Sequence, residues 1–505
     1  MKNEIHTLLI RIVAIILGIA PNIYSQKPTI TWQTTIGGSN QDKVEKIITT
    51  QDGGYALIGQ SYSSDFSIPV NYGDSDILVS KISSNGTVEW SKVLGGFGQE
   101  IGYAIQELDN GDFIICGTSI GTDSDFLTNY GHTDIVLIKI NQSGTLLFKK
   151  NLGGSDNDFC RDLIKTNDGN LILAASSESS DVDITENFGN SDFWIVKIDT
   201  SGTILWQKTL GGSSNETCYS ILQTNDLGYI ICGESMSNIV GNYGSSDAFI
   251  VKINSAGVIE WQNHFGGSAA DKFRSVIQLS DNSFLAVGDT YSNDYDSIEN
   301  NGMLSRDSFI VKVSALGQKE WVRCFGGNSE DDARCVTQTS DGNLVILNQI
   351  HSQSGNGDIN TMYGEADFWL IKVDNFGNII WQQNFGSSGH EEPTYMINTP
   401  DDGFILVGIS YSYIDFDITQ HFGGDDIWVV KLQNQENCRY NLNLSKTIYH
   451  NTAIFQAQNT IESTVKILNH NSTIQYKAGG SITLKPGFEV KTGNVWKAII
   501  ETCQN

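Results

Sequence analysis

The chain lacks any apolar run long enough to cross a bilayer, any Cys-x-x-Cys pair and any sustained helical periodicity. A membrane-spanning helix needs about 20 apolar residues. The run at 12–20, interrupted by Gly18, falls well short. Placed behind Lys2 and Arg11, it predicts a secretory signal peptide over 1–25, cleaved near Ser25 or Gln26. No cysteine stands at that point, so a lipid anchor is not expected. Without a Cys-x-x-Cys among the eight cysteines, a zinc ribbon has no ligand set.

Positive charge is scarce as well: 31 Lys and Arg face 58 Asp and Glu, for a net −27. A surface so acidic repels phosphate backbones, which removes nucleic acid from the expected partners. Cations, basic proteins and neutral glycans stay open, as does acidity that serves solubility alone. The imbalance is local. Residues 1–25 carry +1 and residues 438–505 carry +4 with no Asp, which leaves −32 for 26–437. The change near Cys438 predicts three segments: leader 1–25, main domain 26–437 and tail 438–505.

A repeat fills the main domain. "TVEWSKVLGG" returns as "TLLFKKNLGG", "TILWQKTLGG", "VIEWQNHFGG", "QKEWVRCFGG" and "NIIWQQNFGS", and "TITWQTTIGG" precedes them all. The anchors Trp32, Trp90, Phe148, Trp206, Trp261, Trp321 and Trp381 are spaced 58, 58, 58, 55, 60 and 60 residues apart. Their rings are expected to pack blade against blade. Each unit reads as four strands: an anchor strand d, an acidic loop, strand a, a tight Asp-Gly turn, strand b, a polar loop and strand c. Four short strands per unit, seven times over, predict an all-β seven-bladed propeller. The first d strand, 29–36, has no c before it, and the last c strand, 426–432, has no d after it. Pairing them closes the ring and removes exposed edges. An open solenoid would want polar capping repeats, and neither end has one.

The segment "GGSNQD…TTQDGGYALIGQSYSSDF…GDSDILVSKISSNGTVEW" resembles the bacterial seven-bladed β-propeller repeat known as SBBP, over roughly 29–432. Phe148 and Gly386-Ser387 depart from its usual Trp and Gly-Gly. Asp199, Gly202 and Trp206 match part of the docking turn of quinoprotein propellers. The tail "YKAGGSITLKPGFEVKTGNVWKAIIETC" is similar to the three-coathanger stack module of exported bacterial proteins. Cys438 and Cys503 bracket it, and a disulfide between them is expected. In the chain-entropy model a loop that long is worth ~4 kcal/mol, and the expected compartment is oxidising.

Features present in every copy read as architecture. Asp76, Asp134, Asp192, Asp247, Asp307, Asp367 and Asp426 open strand c and are expected to cap a loop. Lys81, Lys139, Lys197, Lys252, Lys312, Lys372 and Lys431 follow five residues later, and each is expected to leave its ammonium in water. Function is expected where copies diverge, on loops. The d–a loops hold Asp42, Asp156, Asp158, Glu216, Asp271, Asp331, Asp332, Glu391 and Glu392. The b–c loops add Asp123/Asp125, Asp181/Asp183, Asp294/Asp296 and Asp415/Asp417. The two loop sets share one face, which becomes the candidate binding surface. Each Asp-x-Asp pair is a candidate calcium ligand set, with a solvated acidic rim as the alternative.

Catalytic patterns are thin. Gly117-Thr118-Ser119-Ile120-Gly121 spells a nucleophile elbow, but that motif needs a strand-to-helix turn, and repeat register puts Ser119 at the end of strand b. His132 and His421 read as solvated loop residues. Cys116 and Cys232 share one strand-b position and are read as small buried hydrophobes. Cys160 and Cys218 are likewise equivalent and are left unpaired. The leading expectation is an exported, monomeric, non-enzymatic binding or scaffold protein for a glycan or cell-surface partner. The alternatives are a polysaccharide hydrolase or lyase on the same face and a quinone-dependent oxidoreductase.

Overall fold

The computed structural model describes residues 27–434, except 121–128, 240, 298–304, 352, 354 and 412–413, together with the strands of 439–500. The leader, Asp123, Asp125, Cys438 and Cys503 lie outside the described residues. The chain divides into two compact units, and the larger is Pro28–Asn434.

That unit is a seven-bladed β-propeller of four-stranded antiparallel sheets. In the first blade the strands are Asp42–Thr49 (a), Tyr55–Ser61 (b), Asp76–Ile82 (c) and Val88–Leu94 (d). Strands b and c, "YALIGQS" and "DILVSKI", are buried along their whole length. Both faces of these strands are covered by neighbouring blades, so their apolar residues run on instead of alternating. Strand d is half exposed and forms the outer edge. Strand a alternates, with one set of side chains buried and the other partly open. The a strands of successive blades neighbour one another, and Asp42–Thr49 meets Glu391–Asn398, so the a strands form the inner ring.

The core is not single. Seven apolar clusters lie between successive blades, each drawing on two neighbours. Ile405, Val407, Ile427 and Val429 of the last blade, for example, pack with Val44, Leu57 and Leu78 of the first. The anchors take part in these seams: Trp32 lies 6.0 Å from Tyr55, Trp90 6.3 Å from Phe113, Trp206 6.1 Å from Tyr229 and Trp261 5.9 Å from Phe284. Phe148 packs against the cluster between the second and third blades, Trp321 against that between the fifth and sixth, and Trp381 within that between the sixth and seventh.

The ring closes through the chain ends. Pro28–Ile36 pairs antiparallel with Asp426–Asn434, from Pro28 opposite Asn434 to Ile36 opposite Ile427. Trp428 Nε1 donates to Gln33 Oε1 at 2.9 Å across this joint. In sheet terms the last blade takes its d strand from the start of the unit.

Two sequence expectations need correction. The strand-c lysines do not leave their ammonium groups in water. Each meets the Asp of the a–b turn in its own blade: Lys81–Asp52 at 2.8 Å, Lys139–Asp112 at 3.3 Å, Lys197–Asp168 at 2.6 Å and Lys252–Asp226 at 3.0 Å. Lys312–Asp281, Lys372–Asp341 and Lys431–Asp401 complete the set. A long stem laid along a covered sheet carries its ammonium to the turn, and the carboxylate there replaces water. Despite partial desolvation, hydrogen bonds from Lys81, Thr50 and the Gly54 amide hold Asp52 down to about 2.

Nor is Cys116 merely a buried hydrophobe. It is disulfide-bonded to Cys160, with Cα atoms 6.4 Å apart, so strand b of the second blade is tied to strand a of the third. Strand a of each blade lies against strand b of the one before, and that contact was not legible from equivalence alone. Cys218 and Cys232 are free and buried. The register explains why: the position matching Cys116 in the third blade is Ala174, and the one matching Cys160 in the fifth is Phe273.

The described strands of the C-terminal unit pair in parallel. Thr473–Ala478 lies between Thr452–Ser463 and Val495–Ile500, and Arg439–Leu444 extends the same sheet. The short strands Thr447–Ile448, Lys466–Ile467 and Glu489–Val490 form a second parallel set. Strands that pair in chain order with one short strand between them describe a coil whose turns stack.

Candidate functional site in the central channel

The loop face is acidic in composition, yet much of that charge is internal. Asp42, Glu100, Asp158, Glu216, Asp271, Asp331 and Glu391 open the seven a strands and are buried. Each accepts a backbone N–H from the preceding glycine loop, as Gly38 N to Asp42 Oδ2 at 2.7 Å and Gly212 N to Glu216 Oε2 at 2.6 Å. The Gly-Gly motif is thus a clasp. A Cβ on its first glycine would strike carboxylates; at Gly211 it would lie 1.8 Å from Asp192 Oδ1. Strand-b hydroxyls complete the clasp, and Ser119 Oγ donates to Glu100 Oε1 at 2.9 Å. This bond accounts for Ser119 without a catalytic role.

The strand-c Asp caps as expected: Tyr72 N donates to Asp76 Oδ2 at 2.6 Å, and Tyr243 N to Asp247 Oδ2 at 2.6 Å. Each junction therefore buries two acids, one from strand c and one from the next strand a. Burial, then repulsion from Asp271 and Asp296, raises Asp247 to about 7 against a cap from Tyr243. Burial raises Asp42 to about 6 even though Ser61, Ser63 and Gly38 donate to it.

The described Asp-x-Asp pairs reach back to the same glycine loops. Asp181 Oδ1 accepts from Ser155 N at 2.8 Å and Asp183 Oδ2 from Gly153 N at 3.3 Å. Asp294 accepts from Ser268 N at 2.8 Å, and Asp296 pairs with Lys319. Asp415 accepts from Ser388 N at 2.8 Å and Asp417 from Gly386 N at 3.2 Å. The residue between the two acids is forced into the left-handed region, where Val182, Tyr295 and Phe416 have φ of 56, 48 and 45°. The exposed rings of the two aromatics stack on the neighbouring blade, Tyr295 on Tyr243 at 4.9 Å and Phe416 on Tyr363 at 5.1 Å. Among the described residues no three Asp, Glu, His or Cys side chains converge as a metal site. His132 is exposed, whereas His421 Nδ1 lies 2.8 Å from Asp426 Oδ2.

The seven copies also differ on the channel wall, a place the loop-centred sequence reading passed over. Every a strand has a β-bulge at the same place. The register slips between Val44 and Lys46, between Gly102 and Ala104, and at the matching points of the other five. The bulged residues are Glu45, Tyr103, Arg161, Tyr219, Arg274, Arg334 and Thr394. A bulge re-aims one side chain, and all seven line a single cavity of about 170 Å³ in the channel. Strand b faces the bulge with glycine in five blades; a Cβ on Gly59 would lie 1.9 Å from Lys43 O. The signal was present in the repeat. Aligned on their buried third residues, the a strands are followed by Glu, Tyr, Arg, Tyr, Arg, Arg and Thr.

One position further along, Lys46 pairs with Asp162. This link runs from the first blade to the third and passes the second, where the equivalent residue is Ala104. Burial opposes the charge on Lys46, but Asp162 outweighs it and raises the group. Both residues line the 170 Å³ cavity and also a wider vestibule of about 680 Å³ on the side of the a–b turns. Ile48, Ile164, Leu222, Ile277 and Ile397 give that vestibule an apolar wall. Towards the loop face stands an ion-pair network. Arg274 Nε lies 2.8 Å from Asp289 and its terminal nitrogen 3.4 Å from Asp332. Arg334 Nε lies 2.9 Å from Asp332, and its terminal nitrogen 3.2 Å from Glu392. His390 packs edge-on against His351 and Tyr411 at the same end.

No family model and no curated protein matches the chain. Among solved structures, it is similar to a protein of unknown function from Bacteroides caccae at 12% identity, covering 63% of this chain and 92% of that one, with a TM-score of 0.36. It is similar to Sqt1 from Chaetomium thermophilum at 11% identity, over 81% and 99% of the two chains, with a TM-score of 0.40. An apocarotenoid oxygenase from Synechocystis matches at 12% identity over 81% and 95%, with a TM-score of 0.39. Likenesses this distant carry nothing about function.

Proposed function

We propose that this is an exported, non-enzymatic binding protein of the SBBP-like kind, a rigid propeller that takes part of its ligand into the loop-face end of the central channel. The C-terminal module is an accessory to export or attachment. One observation carries the reading: seven copies that agree at every junction present seven bulged residues to one cavity, and their identities diverge. Divergence on a uniform scaffold is where specificity resides. Export is supported by the Cys116–Cys160 disulfide, which belongs to an oxidising compartment. Among the described residues no helix is long and apolar enough to cross a membrane.

The test is an array of glycans and cell-surface peptides probed with the wild-type protein and with Tyr219→Ala. Hits that weaken in the variant support channel recognition, and hits indifferent to it return recognition to the loops. Release of shortened products from any polysaccharide would replace the binder by the hydrolase or lyase. A melting midpoint that falls in EDTA would return Asp181, Asp183, Asp415 and Asp417 to a calcium role.

A further inference from the structure

We propose that the throat of the channel is a carboxylate-binding site, with the Arg161 guanidinium as the group that receives the anion. The inference rests on the channel reading above and adds the chemistry of the ligand.

The cavity inverts the charge of its surroundings. Lys46, Arg161, Arg274 and Arg334 line it against only Glu45 and Asp162, in a protein of net charge −27. Three of these four cations are engaged. Lys46 is held by Asp162, Arg274 by Asp289 and Asp332, and Arg334 by Asp332 and Glu392. Arg161 is different. Its Nε is buried without a hydrogen-bond partner, and no carboxylate forms an ion pair with it among the described residues. The guanidinium is instead held by aromatic faces, with Cζ 4.7 Å from the Tyr103 ring centre and 6.0 Å from that of Tyr219. Those two rings come from the blades on either side, each at the same bulge position. They pack on the guanidinium and the Tyr103 hydroxyl reaches one of its N–H groups, while Nε is left to donate elsewhere.

Arg161 is half-buried, and a cation drawn part-way out of water without an anion gains when something supplies the charge. A planar fork of N–H donors matches a carboxylate in two parallel bonds. Ser220 and Ser275 line the same cavity, whereas the Thr394 hydroxyl donates to Val407 O at 3.3 Å. A space of about 170 Å³ admits a carboxylate and a few further atoms. The Lys46–Asp162 link stands between this throat and the vestibule, so the anion arrives from the loop face.

Glu45 is the internal rival. It lines the cavity with Arg161 but forms no ion pair with it. Arg161 and Arg334 face it across the channel, Glu392 faces it from the last blade, and Lys43 flanks it on its own strand. Burial, against the pull of Arg161, lifts Glu45 to about 7. Its negative charge develops as pH rises through that value and then competes for the same guanidinium.

Calorimetric titration of the full chain with sodium succinate and sodium glucuronate, against sodium chloride at matched ionic strength and at pH 6 and pH 8, tests this. Saturable binding is expected, tighter at pH 6 than at pH 8. Arg161→Gln should weaken it about tenfold or more, and Arg161→Lys should restore part of it. Glu45→Gln should strengthen it at pH 8 and change it little at pH 6, a gain that no folding defect can mimic. Heats no larger than those of chloride, or carboxylate binding indifferent to both Arg161→Gln and Glu45→Gln, would overturn the proposal. Inorganic phosphate binding as tightly as succinate would also overturn it, by showing a site for any anion. If carboxylates fail while array hits still depend on Tyr219, the anion inference falls and the channel reading survives.

Discussion

The blade junctions and the channel wall are built from the same seven a strands, and they behave in opposite ways. At a junction the strand's first acid clasps the preceding glycine loop in every copy, whether it is Asp42 or Glu100 on Gly-Gly or Glu391 on Gly-Ser. A few residues on, the bulge turns Glu45, Tyr103 or Arg161 into the channel, and no common chemistry remains. The junction solves one local problem, loop N–H groups that need acceptors, and one solution serves every blade. The channel wall solves a collective problem, because each residue there faces six others. Only a mixed set can balance charge across a common space.

Breaking the ring should have the largest effect. Removal of Pro28–Ile36 strips the last blade of its outer strand and exposes the edge of Asp426–Asn434. Cooperative urea unfolding should be lost; a retained sharp transition would show that closure matters little. On the channel wall, Asp162→Asn leaves Lys46 buried without its partner, and a loss of about 3–5 kcal/mol is expected from urea denaturation. A loss below 1 kcal/mol would mean that water already shields the pair.

The junction can be sharpened in the other direction. Ala174→Cys places a thiol opposite Cys218 in the register that joins Cys116 to Cys160. A new disulfide should be seen as a mass deficit of two hydrogens. It should stabilise by up to about 4 kcal/mol in the chain-entropy model. Two persistent thiols would refute the equivalence.

The smallest effect concerns protons. Asp247 has a folded value of about 7, above its ordinary range. The stability it contributes is therefore complete below about pH 4 and is lost as pH rises through 7. Asp52, lowered to about 2, works oppositely and loses its contribution as pH falls through that value. Tm should therefore peak in mild acid. Asp247→Asn keeps an acceptor for the Tyr243 amide and removes the repulsion from Asp271. It should stabilise by about 1–2 kcal/mol or more at pH 8, by less at pH 5, and leave pH 3 nearly unchanged. Equal effects at all three values would point to packing and away from charge.

The repeat made the blades legible: turn glycines, anchor aromatics and unbroken apolar runs each report a local requirement. The strand-c Asp was legible as a cap because its partner lies four residues away. The strand-c Lys was not, since its partner sits at the far end of a hairpin, 29 residues before it in Lys81–Asp52. The acidic loops misdirected attention for a related reason. Composition counts a carboxylate, but burial and an N–H donor decide whether it is a surface charge, and Asp42 and Glu391 are internal.

By itself the sequence determined seven blades, their strand order and the zipping of the two ends, because periodicity and turn chemistry act over short stretches. The tertiary structure alone decided that Cys116 meets Cys160, that Lys46 reaches past a blade to Asp162, and that Arg161 lies between two tyrosines without a carboxylate. Those pairings join residues from different blades, and only the curvature of a closed ring brings them within reach.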